Sequence, residues 1–521
     1  MPRMTPILTV LVAATLWATP LGAQITVTLN ALKDNTLYED PAGTIGNGSG
    51  DRFFAGRTNL TGGGIIRRGL IAFDVAGGVP SGALILDAKL HLFMSQTVVG
   101  SVPVELHRAS QDWAEGPTDA PGGEGSGAPR VDPEATWIHT FSTLSLWANP
   151  GGDFSPVMSA SVGVNAIGPY TWNSAAMASD VQNWLDNPPT NFGWLLLGRE
   201  DTISTAKSFD SRTSPAVANR PTLEITYVIP TIVTIPAAAD NTLYENANGS
   251  VSNGLGEHMF AGRNGFLGGA IRHRAVVRFA VTPAIPAGAV VSSADLFLFL
   301  SKTPVLAVPV EVHRLLKSWG EGASDAPLEE GQGAPAAPGD ATWVHTTFPG
   351  TLWTSLGGDF NPSASAVTAV DQIGPYHWTG AVMATDVQDM VDHPATNFGW
   401  LVQGDESVGS TSKRFDTREN PVPGNRPALT VVYYTPTPAC LVVKTGDVNV
   451  SGAITSADII LMVNHVFKGG APPSPCSAAG DVNCSGSLTS SDIIGLVNFV
   501  FKGGAPPCDV CTIIPAVWSC P

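Results

Sequence analysis

The chain spells out one design twice. Asp34-Asn35-Thr36-Leu37-Tyr38-Glu39 recurs as Asp240-Asn241-Thr242-Leu243-Tyr244-Glu245, and Phe54-Ala55-Gly56-Arg57 recurs as Phe260-Ala261-Gly262-Arg263. Gly151-Gly152-Asp153-Phe154 returns as Gly357-Gly358-Asp359-Phe360, and Asn191-Phe192-Gly193-Trp194 as Asn397-Phe398-Gly399-Trp400. The offset is 206 each time, with no gap through these segments. Solenoid units run roughly 20–50 residues, so this period is that of a whole domain. The 521 residues divide into a leader at 1–23, two copies at 24–229 and 230–435, a further module at 440–510 and a tail at 511–521.

Within a copy the pattern is that of strands. Residues 83–93 alternate around Ile85, Leu90 and Leu92, and residues 102–107 alternate again. Leu195-Leu196-Leu197 and the run from Leu223 to Tyr227 add further strands, separated by Gly, Pro, Asn and Asp clusters. One short helix is expected at 175–185, where Ala178, Val181 and Leu185 share a face. Many short strands without βαβ alternation indicate two tandem β-sandwiches of jelly-roll type.

The leader has the form of a secretory signal peptide: Arg3, an apolar run from Ile7 to Trp17, and Leu21-Gly22-Ala23 before Gln24. No later segment reaches about 18 uninterrupted apolar residues, so no transmembrane segment is expected. All six cysteines (Cys440, Cys476, Cys484, Cys508, Cys511 and Cys520) fall in the last module and tail. In an exported chain they read as disulfides, and the sequence alone does not choose a pairing. Net charge is −17, which disfavours nucleic acid and anionic membrane surfaces as partners.

Arg68-Gly69-Leu70-Ile71-Ala72-Phe73-Asp74, Lys207-Ser208-Phe209-Asp210-Ser211-Arg212 and Arg220-Pro221-Thr222-Leu223 join the Asp34–Glu39 run as signature segments. Lys413-Arg414-Phe415-Asp416-Thr417-Arg418-Glu419 and Arg426-Pro427-Ala428-Leu429 stand in the same places of the second copy. These segments resemble the DNRLRE modules of secreted bacterial and archaeal proteins. The resemblance implies a β-sandwich and, in some relatives, carbohydrate binding beside polysaccharide-degrading domains.

Two loops near the C-terminus carry metal chemistry. Asp447, Asn449, Ser451, Ala453, Thr455 and Asp458 occupy positions 1, 3, 5, 7, 9 and 12 of one loop; Asp481, Asn483, Ser485, Ser487, Thr489 and Asp492 repeat them. Position 7 offers only its carbonyl, and Gly452 and Gly486 fill position 6, where the chain turns sharply. Calcium takes 6–8 oxygens, and this spacing wraps them about one point, so two Ca²⁺ ions are expected. A helix should follow each loop, with stripes Ile459, Met462, Val463, Val466, Phe467 and Ile493, Leu496, Val497, Val500, Phe501, ending at Gly469 and Gly503. Loop then helix, twice, resembles a type I dockerin. That implies a cohesin-like partner contacted through positions 10 and 11, here Ser456, Ala457, Ser490 and Ser491, although Ser at position 5 departs from the Asp common in that family.

Sugar binding uses aromatic faces beside polar groups. Trp113, Trp147 and Trp172, with Trp319, Trp353 and Trp378 in the second copy, stand near turn residues; Glu115 and Glu321 follow the first of each set. They are the ligand-binding candidates. The paired carboxylates Glu115/Glu321, Asp153/Asp359, Asp180/Asp386 and Glu200/Glu406 leave open a polysaccharide-cleaving enzyme, since glycoside hydrolysis uses two carboxylates, but no spacing selects a pair. The reading is a secreted, non-catalytic polysaccharide-binding protein with a calcium-dependent attachment module. A hydrolase or lyase, or a structural matrix protein, stands as the alternative.

Overall fold

The computed structural model describes residues 24–59, 64–98, 100–265, 270–304, 307–436, 442–514 and 518. The leader at 1–23, Cys440 and Cys520 lie outside them. The described chain divides into two units, residues 1–435 and 436–521.

The first unit is mainly β and holds two barrel-like sheets, one per copy. Each is held together by a strand that belongs to both of its faces. Residues 25–30 of Ile25–Tyr38 pair with Thr222–Val228, and residues 31–38 of the same strand pair with Ile66–Phe73, across an irregularity between Ala31 and Lys33. Leu84–Thr97 is the other long strand, with Thr222–Val228, Lys207–Asp210 and Gly168–Asn173 as antiparallel neighbours. Trp194–Leu197 lies between Ile66–Phe73 and Val102–Ala109, and Phe154–Val164 completes that side. A strand shared by both faces leaves fewer unpaired edges to attract another chain. The second sheet repeats this order, with Thr231–Tyr244 pairing Ala428–Tyr434 and Arg272–Phe279.

Alternation explains which side chains go inward. Along Leu84–Thr97, Ile85, Ala88, Leu90, Leu92 and Met94 are buried, and they meet Leu223, Ile225, Phe209 and Trp194. The expected helix forms at Ala175–Asp186. Ser174 caps it by accepting the Met177 N–H, and Met177, Val181, Trp184 and Leu185 close over the core. Its counterpart, Ala381–Asp392, starts after Gly380 and puts Met390 where the first copy has Trp184; both side chains are fully buried.

In the second unit, helices Ser456–Lys468 and Ser490–Lys502 each start with a capping box, Thr455/Asp458 and Thr489/Asp492. Gly469 and Gly503 end them at φ 65° and 63°, a left-handed geometry that glycine adopts without strain. Val448, Ile459, Met462, Val482, Ile493 and Leu496 form the core. Phe467 and Phe501 depart from the expected stripe: they are 65% and 66% exposed. Cys484 is bonded to Cys508, and Cys476 and Cys511 are also in disulfides. Among the described residues no helix is long and apolar enough to cross a membrane.

Candidate functional site

Each of the two loops closes on its first aspartate through backbone hydrogen bonds. Asp447 accepts the Ser451 N–H (2.9 Å) and the Gly452 N–H (2.7 Å), and Asp481 accepts those of Ser485 (3.0 Å) and Gly486 (2.8 Å). The Asn449 and Asn483 side-chain oxygens accept the same Ser451 and Ser485 amides. The Ser451 hydroxyl reaches the Ala453 carbonyl at 3.0 Å, and Ser485 reaches Ser487 at 3.2 Å, so positions 5 and 7 converge. Asp458 and Asp492 use one oxygen to cap their helices, accepting from Thr455 N–H (2.8 Å) and Thr489 N–H (2.9 Å).

What is left over fits a cation. Asp458, Asp481 and Asp492 are fully buried and Asp447 nearly so. The second oxygen of Asp492 is buried with no hydrogen-bond partner. A buried, unpaired carboxylate oxygen is costly unless a counter-charge meets it, and the surrounding donors are hard oxygens suited to calcium. The 511–521 tail contributes to this unit: Trp518 Nε1 donates to Asp481 at 2.8 Å. The loop pattern carried no signal of that contact. Ser456, Ala457, Ser490 and Ser491 are exposed on the first turns of the helices. On the same helices, Ile460 and Ile494 are 60% exposed, and Phe467 and Phe501 join them as apolar side chains facing solvent.

Residues 445–500 match the model of the Dockerin type I domain. The dockerin domain is therefore the calcium-loop unit of this chain. No curated protein matches the chain. Among solved structures, that of infectious bursal disease virus Gt strain shares 11% identity over 81% of this chain and 80% of its own, at a TM-score of 0.11. The VP2 subviral particle of that virus shares 11% over 80% and 78%, also at 0.11. Scores this low carry no argument about fold.

In the β-rich unit the structure corrects the expected sugar platforms. Trp113, Trp147, Trp172, Trp319, Trp353 and Trp378 are all buried, the most exposed at 6%. Their single polar groups are spent inside the protein. Trp113 and Trp319 donate to the carbonyls of Phe192 and Phe398, Trp147 and Trp353 to those of Thr136 and Thr342, and Trp172 and Trp378 to those of Val104 and Val310. Turn residues beside a tryptophan do not say where its ring goes: Trp172 and Trp378 face the cores from the strands Gly168–Asn173 and Gly374–Thr379, and the other four pack into smaller buried clusters. Glu115 and Glu321 are likewise engaged, by Arg212 and Arg418.

The other paired carboxylates also serve the fold. Glu200 and Glu406 clamp Arg68 and Arg274 through both oxygens. Asp180 and Asp386 accept from the indoles of Trp194 and Trp400, and Asp153 and Asp359 hold backbone amides of the preceding turn.

Asp34, fully buried beside Glu115 and Arg212, is instructive. Burial pushes its carboxyl up to about 7; the Arg212 N–H opposes this, the Glu115 charge adds to it and the Arg212 charge opposes it. The folded state thus holds a proton that the unfolded chain releases above its ordinary value of 3.8. That stabilisation is complete below about pH 4 and is lost as pH rises toward 7. Burial raises Glu124 and Glu134 in the same direction. We expect the first copy to melt at a lower temperature at pH 8 than at pH 5, and Asp34→Asn to flatten that slope; calorimetry at the two pH values checks it, and a slope unchanged by the substitution contradicts it.

Sequence reasoning missed an open cleft that occurs once in each copy. In the first copy it measures about 390 Å³ and is lined by Phe54, Thr58, Arg67, Gln96 and Ser208. In the second it measures about 400 Å³ and is lined by Phe260, Asn264, His273, Lys302 and Arg414, the same positions shifted by 206. Lys207 also lines the first cleft. The cleft floors differ in charge. Arg67 is buried over the Tyr38 ring, with Nε lacking a partner. His273, its replacement, is held by burial down at about 4 and is neutral at ordinary pH. The available signal was the repeated Phe54–Arg57 and Lys207–Asp210 segments, which pair as adjacent strands.

Proposed function

We propose that this chain is an extracellular polysaccharide-binding protein. It comprises two jelly-roll-type modules resembling DNRLRE domains and a dockerin domain that holds two calcium ions and attaches to a cohesin-like partner. The observation that carries the binding function is the recurrence of one cleft at one place in both copies. Its volume lies within the roughly 300–1,000 Å³ typical of ligand sites, and hydroxyl, amide and cationic groups line it over a buried phenylalanine, groups that can meet the hydroxyls of a sugar. Two sites on one chain raise avidity for a repeating polymer.

The clefts favour different charge. Arg67, where the second copy has a neutral histidine, makes the first suited to an anionic sugar. In the second, Lys302 and Arg414 share Glu329 above a neutral His273, which suits a less charged one. For attachment, the support is the exposed, duplicated Ile460/Ile494 and Phe467/Phe501 on the helices that begin with Ser456-Ala457 and Ser490-Ser491.

Affinity of the full chain across neutral and uronic-acid polysaccharides tests the binding reading. Retention by at least one polymer is expected, with Gln96→Trp and Lys302→Trp, placed at exposed rim positions, each weakening it at least several-fold. Binding to no member of the panel defeats the glycan reading. Absence of any retained cohesin with both ions bound defeats the attachment reading independently.

A further inference from the structure

The second copy gathers three carboxylates that the first does not. Asp240, Glu321 and Glu419 each bring an oxygen within 4.8 Å of the others. Asp240 is fully buried. Arg418 enters the group from one side: its backbone N–H donates to one Asp240 oxygen at 2.9 Å, and its guanidinium reaches Glu321 at 2.9 Å and Glu419 at 3.2 Å. After those bonds are made, the second oxygen of Asp240 and one oxygen of Glu419 remain buried with no hydrogen-bond partner.

The first copy is the internal control. Thr213 stands where the second has Glu419, and its hydroxyl bonds the Gly50 carbonyl at 2.7 Å. Asp34, Glu115 and Arg212 there carry two negative charges and one positive, and one proton on Asp34 balances them. No oxygen of Asp34 or Glu115 is left buried without a partner among the described residues. In the second copy three carboxylates face the Arg418 guanidinium, with the Arg426 charge also acting on Glu419, and the negative charges still outnumber the positive ones. The two orphaned oxygens, with no counterpart among the described residues of the first copy, point to a counter-charge.

We propose that Asp240, Glu321 and Glu419 hold a divalent cation of the calcium class, at a site specific to the second copy and separate from the dockerin loops. The donors are all oxygen, as a hard cation requires, and oxygens on opposite sides of one calcium ion are separated by about twice a 2.3–2.6 Å bond, which the cluster satisfies. Three protein oxygens leave the remaining positions to water. The cation ties the strand bearing Asp240 to the loops bearing Glu321 and Glu419.

The test counts calcium on the full chain by equilibrium dialysis. In Asp447→Ala/Asp481→Ala, where both dockerin loops are disabled, one ion per chain is expected to remain, and adding Glu419→Thr is expected to remove it. Thr is the residue the first copy already uses, so the fold should tolerate it; Glu419→Gln repeats the test with unchanged shape. In the wild-type chain, Glu419→Thr is expected to lower the count by one while the calcium-dependent helicity of the dockerin domain persists. No calcium on the loop-disabled chain, or a count indifferent to Glu419, overturns the proposal and leaves shared protons as the balance of charge.

Discussion

Replacing Trp172 or Trp378 with alanine is expected to destabilise its copy by about 3–5 kcal/mol, the range for removing a large aromatic from a packed core. Each ring is fully buried, stands edge-on to Phe209 or Phe415 at 5.9 Å, and donates its N–H to a strand carbonyl. Truncation therefore removes apolar burial and an aromatic pair, and leaves a buried carbonyl short of a donor. Trp113→Ala should behave similarly, because its ring is 1% exposed beneath the Lys33 ammonium, 4.3 Å from the ring centre. The measurement is a calorimetric scan in which each copy and the dockerin domain is followed as its own transition. A variant that keeps its melting temperature and loses only sugar binding would restore these tryptophans as binding platforms.

Chelation is expected to cost the dockerin domain most of its helix. Its core is small, about seven buried side chains, and each loop brings buried carboxylates together at its centre. Without a cation those charges repel and Asp492 keeps an oxygen unpaired. A ligand at 100–1,000 times its dissociation constant adds about 2.7–4.1 kcal/mol per site, comparable to the whole stability of so small a unit. Asp481→Ala should act like partial chelation, and more severely than Asp447→Ala, because Asp481 also accepts the Trp518 indole. Circular dichroism with EGTA and with calcium checks both. The Cys484–Cys508 bridge limits how far the chain opens, so helicity, not compactness, is the informative readout. Helix content unaffected by EGTA would contradict the expectation.

Periodicity was enough for the strands that alternate cleanly, such as Leu84–Thr97, and for the Ala175–Asp186 helix, because inward and outward faces are written into the spacing. The helix stops at Gly469 and Gly503 were legible for the same local reason. Phe467 and Phe501 show the limit. They continue the apolar stripe on paper, yet each falls in the last turn of its helix, past the core residues Met462 and Leu496, and faces solvent. The tryptophans failed as platforms because neighbouring turn residues say that the chain bends, not over which side chain it closes. The clefts were invisible because their linings come from strands far apart in sequence, Arg52–Arg57 and Lys207–Asp210 among them, that meet only through pairing. The Asp240 cluster was hidden likewise: its members are 81 and 179 residues from Asp240.

On the proposed reading, each copy presents one ligand site in the same cleft. Isothermal titration of the full chain with a short oligosaccharide of whichever polymer binds most tightly tests it directly. Two sites per chain of unequal affinity are expected, one remaining after either Gln96→Trp or Lys302→Trp, and none after both. Binding that survives both substitutions unchanged would place the ligand elsewhere and contradict it.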